Sequence, residues 1–164
     1  MGAQAEALFS AMVDSGRNFV VIAPNNDPGS NGIFKVLDSL PKERFRVLPS
    51  MRFAHFSELM KHAACMVGNS SAGVREAPFM GIPSLDVGTR QSNRSEAGSV
   101  TSVSAFEREK IMAFLAENWG KSFARDEGFG EGRAADRFVQ LLDDPTFWAQ
   151  SLQKSFNDIE GPKG

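Results

Sequence analysis

Apolar residues in the first segment recur at helical spacing. Ala7, Leu8, Ala11 and Met12 define one face of a helix over Ala3 to Asp14, and Ser15-Gly16 supplies its stop. Phe19-Val20-Val21-Ile22-Ala23 is then a short β-branched run, the pattern of a strand buried on both faces in a parallel sheet. The turn residues Pro24-Asn25-Asn26-Asp27-Pro28-Gly29 end it. The alternation continues with a helix from Ile33 to Leu40, a strand from Phe45 to Leu48, a helix from Phe53 to Ala63 and a strand from Cys65 to Val67. After Gly68 to Ser71 come a short helix from Gly73 to Met80, a strand from Ile82 to Val87, a polar loop from Gly88 to Gly98 and a last strand near Val100 to Val103. Strands alternating with helices at this period predict an α/β domain with a doubly wound parallel sheet. Beyond it the pattern is helical: Glu107 to Asn118, Arg133 to Leu142, and a final helix opened by Asp144-Pro145 that carries Phe147, Trp148 and Leu152.

The totals narrow the function classes. At 164 residues and 41% hydrophobic content, one core is affordable and two ordinary domains are not, so a single domain over residues 1–164 is expected. The 18 basic and 20 acidic residues are scattered and leave a formal net charge of -2, which argues against nucleic acid or an anionic membrane as partner. No apolar run approaches the roughly 20 residues that span a bilayer, and no secretory pattern opens the chain, so a cytoplasmic location is expected. Cys65 is the one cysteine and sits in an apolar run, which reads as a buried structural thiol. His55 and His62 lack an acidic residue at ligand spacing, so neither a metal nor another cofactor is expected.

In open parallel α/β sheets, ligands bind at the carboxyl ends of strands, which directs attention to the loops there. Gly68-Asn69-Ser70-Ser71-Ala72-Gly73 passes from a strand end through hydroxylated residues toward a helix start. Free amides, a helix dipole and the Ser70 and Ser71 hydroxyls would make it a phosphate site, with Gly68 and Gly73 allowing close approach; equally, the serines could only cap the helix. Nucleophilic serine chemistry is disfavoured, because the Gly-x-Ser-x-Gly spacing and a base are both missing. Glu76, one turn into that helix, suits a grip on a ribose diol or is an ordinary surface carboxylate. Arg90, in Gly88-Thr89-Arg90-Gln91, could pair with a diphosphate or be solvated. Phe53 and Phe56 could stack on a base, though one or both fit core packing. Gly128-Phe129-Gly130-Glu131-Gly132 imitates a dinucleotide loop but follows a helix, so it reads as a turn.

Taken together, Gly68-Asn69-Ser70-Ser71-Ala72-Gly73-Val74-Arg75-Glu76-Ala77-Pro78, Gly81-Ile82-Pro83 and Gly88-Thr89-Arg90-Gln91 resemble the hallmark stretch of the UDP-N-acetylglucosamine 2-epimerases. The turn from Pro24 to Gly29 is similar to one in the hydrolysing branch, which releases UDP and N-acetylmannosamine for sialic-acid-type sugar synthesis. The resemblance implies the C-terminal half of a GT-B fold, a Rossmann-like domain that binds UDP or UDP-GlcNAc against an N-terminal domain. It implies Ser70, Ser71 and Gly73 around the diphosphate, Glu76 on the ribose, Arg90 on the phosphate side, Phe56 on uracil, and Asn25 and Asp27 facing the cleft. The family's acid/base groups lie outside these residues, so no catalytic residue is expected in this chain, whose first strand and catalytic domain are expected to lie upstream. Homo-oligomers are the family expectation for the intact protein. A GT-B glycosyltransferase donor domain and a non-catalytic nucleotide-binding module are the competing readings.

Overall fold

The computed structural model describes residues 2–24 and 30–153. The chain divides into two compact units, residues 1–129 and 130–164.

The first unit opens with α1 (Gly2–Asp14), β1 (Phe19–Ile22), α2 (Ser30–Asp38), β2 (Phe45–Leu48), α3 (Phe53–Lys61) and β3 (Met66–Gly68). A 3₁₀ turn (Ser71–Gly73), α4 (Glu76–Phe79), β4 (Ser84–Val87), β5 (Val100–Val103) and α5 (Arg108–Glu117) complete it. All strand pairings are parallel, as the alternating pattern predicts. The strands form two sheets, β1-β2 and β3-β4-β5.

β4 is the centre of the fold. Every one of its residues is buried, and Leu85 is fully excluded from solvent. Leu85 and Val87 point into a cluster with Ala11 of α1, Val103 of β5 and Ile111, Phe114 and Leu115 of α5. A second cluster joins Met12, Leu37, Leu40 and Phe45 beside β1 and β2. A third joins Met60 of α3, Ala77 of α4 and Ile82, with Phe56, Met66 and Met80 packed against it.

Several expectations need correction. β1 is not buried on both faces: Val20 is 48% exposed, because alternate side chains point to opposite faces and only the Phe19 and Val21 side meets the helix cluster. The helix expected from Gly73 to Met80 is split into the 3₁₀ turn and the four-residue α4. Pro78 explains the break, since it has no amide to give the carbonyl four residues earlier and its ring crowds that carbonyl. Cys65 is half-buried, not enclosed, although burial against the first cluster still pushes its thiol up to about 11.

Gly81 ends α4 at φ 69°, a left-handed turn that side-chain-bearing residues avoid. A Cβ there would sit 2.4 Å from the Phe123 carbonyl oxygen. Close approach lets the Phe123 amide donate to the Gly81 carbonyl at 2.9 Å and the Asp126 amide to Pro78 at 3.1 Å, so the segment after α5 clasps the end of α4. Arg125 stacks over the Phe79 ring at 3.7 Å in the same clasp.

The second unit carries α6 (Ala134–Asp143) and α7 (Pro145–Trp148). Asp144 caps α7 by accepting from the Thr146 amide at 2.8 Å, as the Asp-Pro pair predicts. Leu152 lies beyond that helix and is fully exposed, because α7 ends after one turn. Gly130 and Gly132 both have positive φ, in keeping with a turn at the glycine-rich run. No helix among the described residues is long and apolar enough to cross a membrane.

Two substitutions test this account by thermal or urea unfolding. Leu85→Ala should cost about 2–5 kcal/mol through the cavity it leaves. Gly81→Ala should cost about 1–3 kcal/mol from backbone strain alone, with more from the clash at Phe123. A neutral Gly81→Ala would show that the clasp does not exist.

Candidate functional site

The carboxyl ends of β3 and β4 bring the hallmark residues together. β3 stops at Gly68, which has φ 148°, and the space where a side chain would stand there is open. The chain then turns through Asn69 and Ser70 into the 3₁₀ turn. The Ser70 hydroxyl oxygen accepts from the Ala72 amide at 3.4 Å, so the capping role considered for the serines is present. That contact uses an oxygen lone pair and leaves the hydroxyl proton able to donate.

The anion-binding logic is narrower than the sequence suggests. The Gly73 amide donates to Ser70 at 3.0 Å, and the Val74 and Arg75 amides donate to Ser71 at 3.1 and 3.0 Å. Those three are spent inside the turn. The amides of Ser70 and Ser71 have no hydrogen-bond acceptor among the described residues, and with the two hydroxyls they form the donor set that remains. A dipole adds little, because a three-residue turn followed by a four-residue helix aligns too few peptides. Gly73 is small for a packing reason: a Cβ there would lie 2.7 Å from the Ser84 hydroxyl on β4.

Glu76 opens α4 and does not lie one turn inside a longer helix. Its Oε2 is buried and has no hydrogen-bond partner among the described residues. A buried acceptor left open costs about 1–3 kcal/mol, which a ligand donor would recover. Phe56 is half-buried against the third cluster, whereas Phe53 is 67% exposed. Arg90 is exposed and makes no ion pair among the described residues. Arg75 lies over the Phe129 ring at 5.5 Å. Asn25 and Asp27 lie outside the described residues.

Two residues matter more than the sequence pattern indicates. Gln91 is buried; its Nε2 donates to the Asn69 carbonyl at 3.1 Å, and its Oε1 accepts from Arg94 at 2.8 Å. It thereby ties the loop after β4 to the turn after β3. Asp86, paired in register with Gly68, is 1% exposed, and its Oδ1 has no partner among the described residues. The Ser102 hydroxyl donates to Oδ2 at a long 3.4 Å. Burial raises the Asp86 carboxyl above its ordinary 3.8, an effect the Ser102 bond only partly opposes. The available signal for Asp86 was an acid inside an apolar strand run, a placement that seldom occurs without a local reason.

A profile of one protein family, described as UDP-N-acetylglucosamine 2-epimerase, matches residues 2–143. The chain belongs to that family. It is 42% identical over 156 residues to a UDP-N-acetylglucosamine 2-epimerase from Neisseria meningitidis, covering 92% of this chain and 41% of that protein. It is 25% identical over 153 residues to the UDP-N,N'-diacetylbacillosamine 2-epimerase (hydrolyzing) of Legionella pneumophila, covering 92% of this chain and 40% of that one. The chain therefore spans about two-fifths of the length of these relatives. Among solved structures, the N. meningitidis UDP-GlcNAc 2-epimerase bound to UDP-GlcNAc matches with a TM-score of 0.60 and 22% identity, over 87% of this chain and 41% of that one. The epimerase-family chain thus has the Rossmann-like α/β fold of the C-terminal half of a GT-B protein.

Asp86 gives a pH test. Its raised native value means that the native state holds a proton where the unfolded chain has lost it, so this contribution to stability is present at low pH and lost as pH rises through the native value. Asp86→Asn should gain stability relative to the parent as pH rises above 3.8, measured by urea unfolding at a series of pH values. A difference independent of pH would remove the buried-carboxylate account.

Proposed function

We propose that this chain is the UDP-binding half of a hydrolysing UDP-N-acetylglucosamine 2-epimerase. The whole enzyme would convert UDP-GlcNAc and water to N-acetylmannosamine and UDP for sialic-acid-type sugar synthesis. The observation that carries the reading is the buried Glu76 carboxyl oxygen, without a partner among the described residues, close in sequence to a turn whose Ser70 and Ser71 amides have no acceptor among them. A nucleoside diphosphate has the complementary groups: diol donors for the carboxylate and phosphate oxygens for the amides and hydroxyls. The hydrolysing outcome is supported by the hydrolysing activity for which the Legionella relative is named and by the resemblance of the sequence of residues 24–29 to the hydrolysing branch.

In this assignment Ser70 and Ser71 hold the diphosphate at the turn that Gly73 allows to pack on β4. Glu76 accepts from the ribose hydroxyls, and Arg90, free of any ion pair among the described residues, closes on the phosphates. Phe56 offers its ring to uracil. The reaction removes the C2 proton of the sugar, expels UDP by anti elimination and adds water across the resulting glycal-like double bond. The carboxylates that move those protons are assigned mainly to the N-terminal domain of the whole enzyme, with a further histidine in the loop after the first strand of the C-terminal domain, which leaves Ser70, Ser71, Glu76 and Arg90 a binding role. It works as a soluble cytoplasmic domain within a homo-oligomer.

Calorimetric titration with UDP is the direct test. UDP should bind more tightly than CMP, and Ser71→Ala and Glu76→Gln should each weaken binding about tenfold, corresponding to about 1.4 kcal/mol. The purified chain should release no N-acetylmannosamine from UDP-GlcNAc. Equal affinity in the Glu76→Gln protein would remove the ribose assignment, and product formation would remove the division of labour.

A further inference from the structure

α4 is too short to hold itself. It has four residues, and helices of that length in water take their stability from packing. Its inner side is fixed by Ala77 and Pro78, both buried, the first of them in the cluster with Met60 and Ile82. Glu76, whose Oε2 is buried without a partner among the described residues, stands on this helix. The outer side carries Arg75 and Phe79, spaced four residues apart so that they share one face.

The segment that follows α5 repeats the same pair of residue types at the same spacing, Arg125 and Phe129, and runs the other way. Its contacts with α4 keep one antiparallel register. The Phe123 amide donates to the Gly81 carbonyl at 2.9 Å; three residues later on the one segment and three earlier on the other, the Asp126 amide donates to the Pro78 carbonyl at 3.1 Å. One more step of the same size brings the Phe129 ring to the Arg75 guanidinium, at 5.5 Å. Arg125 lies over the Phe79 ring at 3.7 Å, so each segment gives one cation and one ring to the other. Asp126 shapes the bend between Arg125 and Phe129, its Oδ1 accepting from the Gly128 amide at 3.0 Å.

We propose that residues 123–129 are a strap that positions the candidate site, with Phe129 as the positioning residue at its site end. The assignment rests on the nucleotide reading given above. Phe129 has no hydrogen-bonding group to offer a phosphate or a ribose; it acts through Arg75. The Arg75 amide donates to the Ser71 carbonyl at 3.0 Å, and Glu76 is the next residue. Holding the Arg75 side chain therefore steadies the last bond of the Ser70 turn and the first residue of α4 together, which carry the phosphate donors and the ribose acceptor. Without the ring, α4 remains anchored at Gly81 and Ala77 but loses its outer hold at the site end. Local opening, not unfolding, is the expected effect, because Phe129 is 49% exposed and lies outside the three apolar clusters. The glycine-rich run from 128 to 132, which reads in the sequence as a plain turn, thus begins with a contact to the site.

Phe129→Ala and Phe129→Tyr test the strap in the whole chain. Amide hydrogen exchange is read first, without nucleotide. In Phe129→Ala the Val74 and Arg75 amides should exchange about two- to fivefold faster, the factor expected of an exposed cation–π contact, while the Leu85 amide of β4 keeps the parent rate. Phe129→Tyr, which keeps the ring, should restore the parent rates. Titration with UDP is read second: Kd should rise about two- to fivefold in Phe129→Ala and return in Phe129→Tyr. A parent chain that binds no UDP would remove the nucleotide reading and leave the strap to be decided by the exchange rates alone. Unchanged exchange at Val74 and Arg75, equal acceleration at Leu85, no rescue by tyrosine, or faster exchange at the parent's UDP affinity would each overturn the strap.

Discussion

The enclosure of β4 is the constraint on which the remaining arrangement depends. A strand covered on both faces must place alternate side chains in two different interiors. Leu85 and Val87 enter the apolar cluster formed with α1 and α5, so Ser84 and Asp86 are driven to the opposite side. There Gly73, lacking a Cβ, packs close against the Ser84 hydroxyl, and Asp86 is registered with Gly68. The polar side of one strand is thus the floor of the candidate site, and its apolar side is the centre of the core.

That arrangement explains why the site contains open hydrogen-bonding groups. Buried polar atoms normally find partners, because leaving one unpaired costs free energy comparable to a lost hydrogen bond. The Asp86, Ser84 and Glu76 oxygens without partners lie on this floor or at the start of the helix above it. The surrounding backbone is firmly held. Gln91 joins the two loops, Pro78 prevents α4 from running back into the turn, and the clasp at Gly81 anchors the far end of α4. A rigid frame around unsatisfied donors and acceptors is suited to a ligand that supplies both kinds of group.

Outside that frame the fold is less complete. β1 and β2 pack their helices on one face while Val20 remains exposed on the other, and α6 has no buried residue although Phe138, Val139, Leu141 and Leu142 stand among its ten. Parallel sheets are ordinarily covered on both faces.

The sequence alone determined the order of the strands and of the longer helices, since β-branched runs and helical spacing are local patterns that each segment expresses for itself, but not the split of the Gly73–Met80 segment or the early end of α7. It also determined the family, because the stretch from Gly68 to Gln91 combines turn residues, hydroxyls and charges at fixed spacing. What it could not express was which interior each side chain enters. Whether Val20 is covered, which amides of the Ser70 turn remain free, and that Gln91 and Asp86 belong beside Gly68 all depend on partners distant in the chain. Those were decided by strand register and crossover direction, because burial and hydrogen-bond satisfaction are properties of the assembled sheet and not of any one segment.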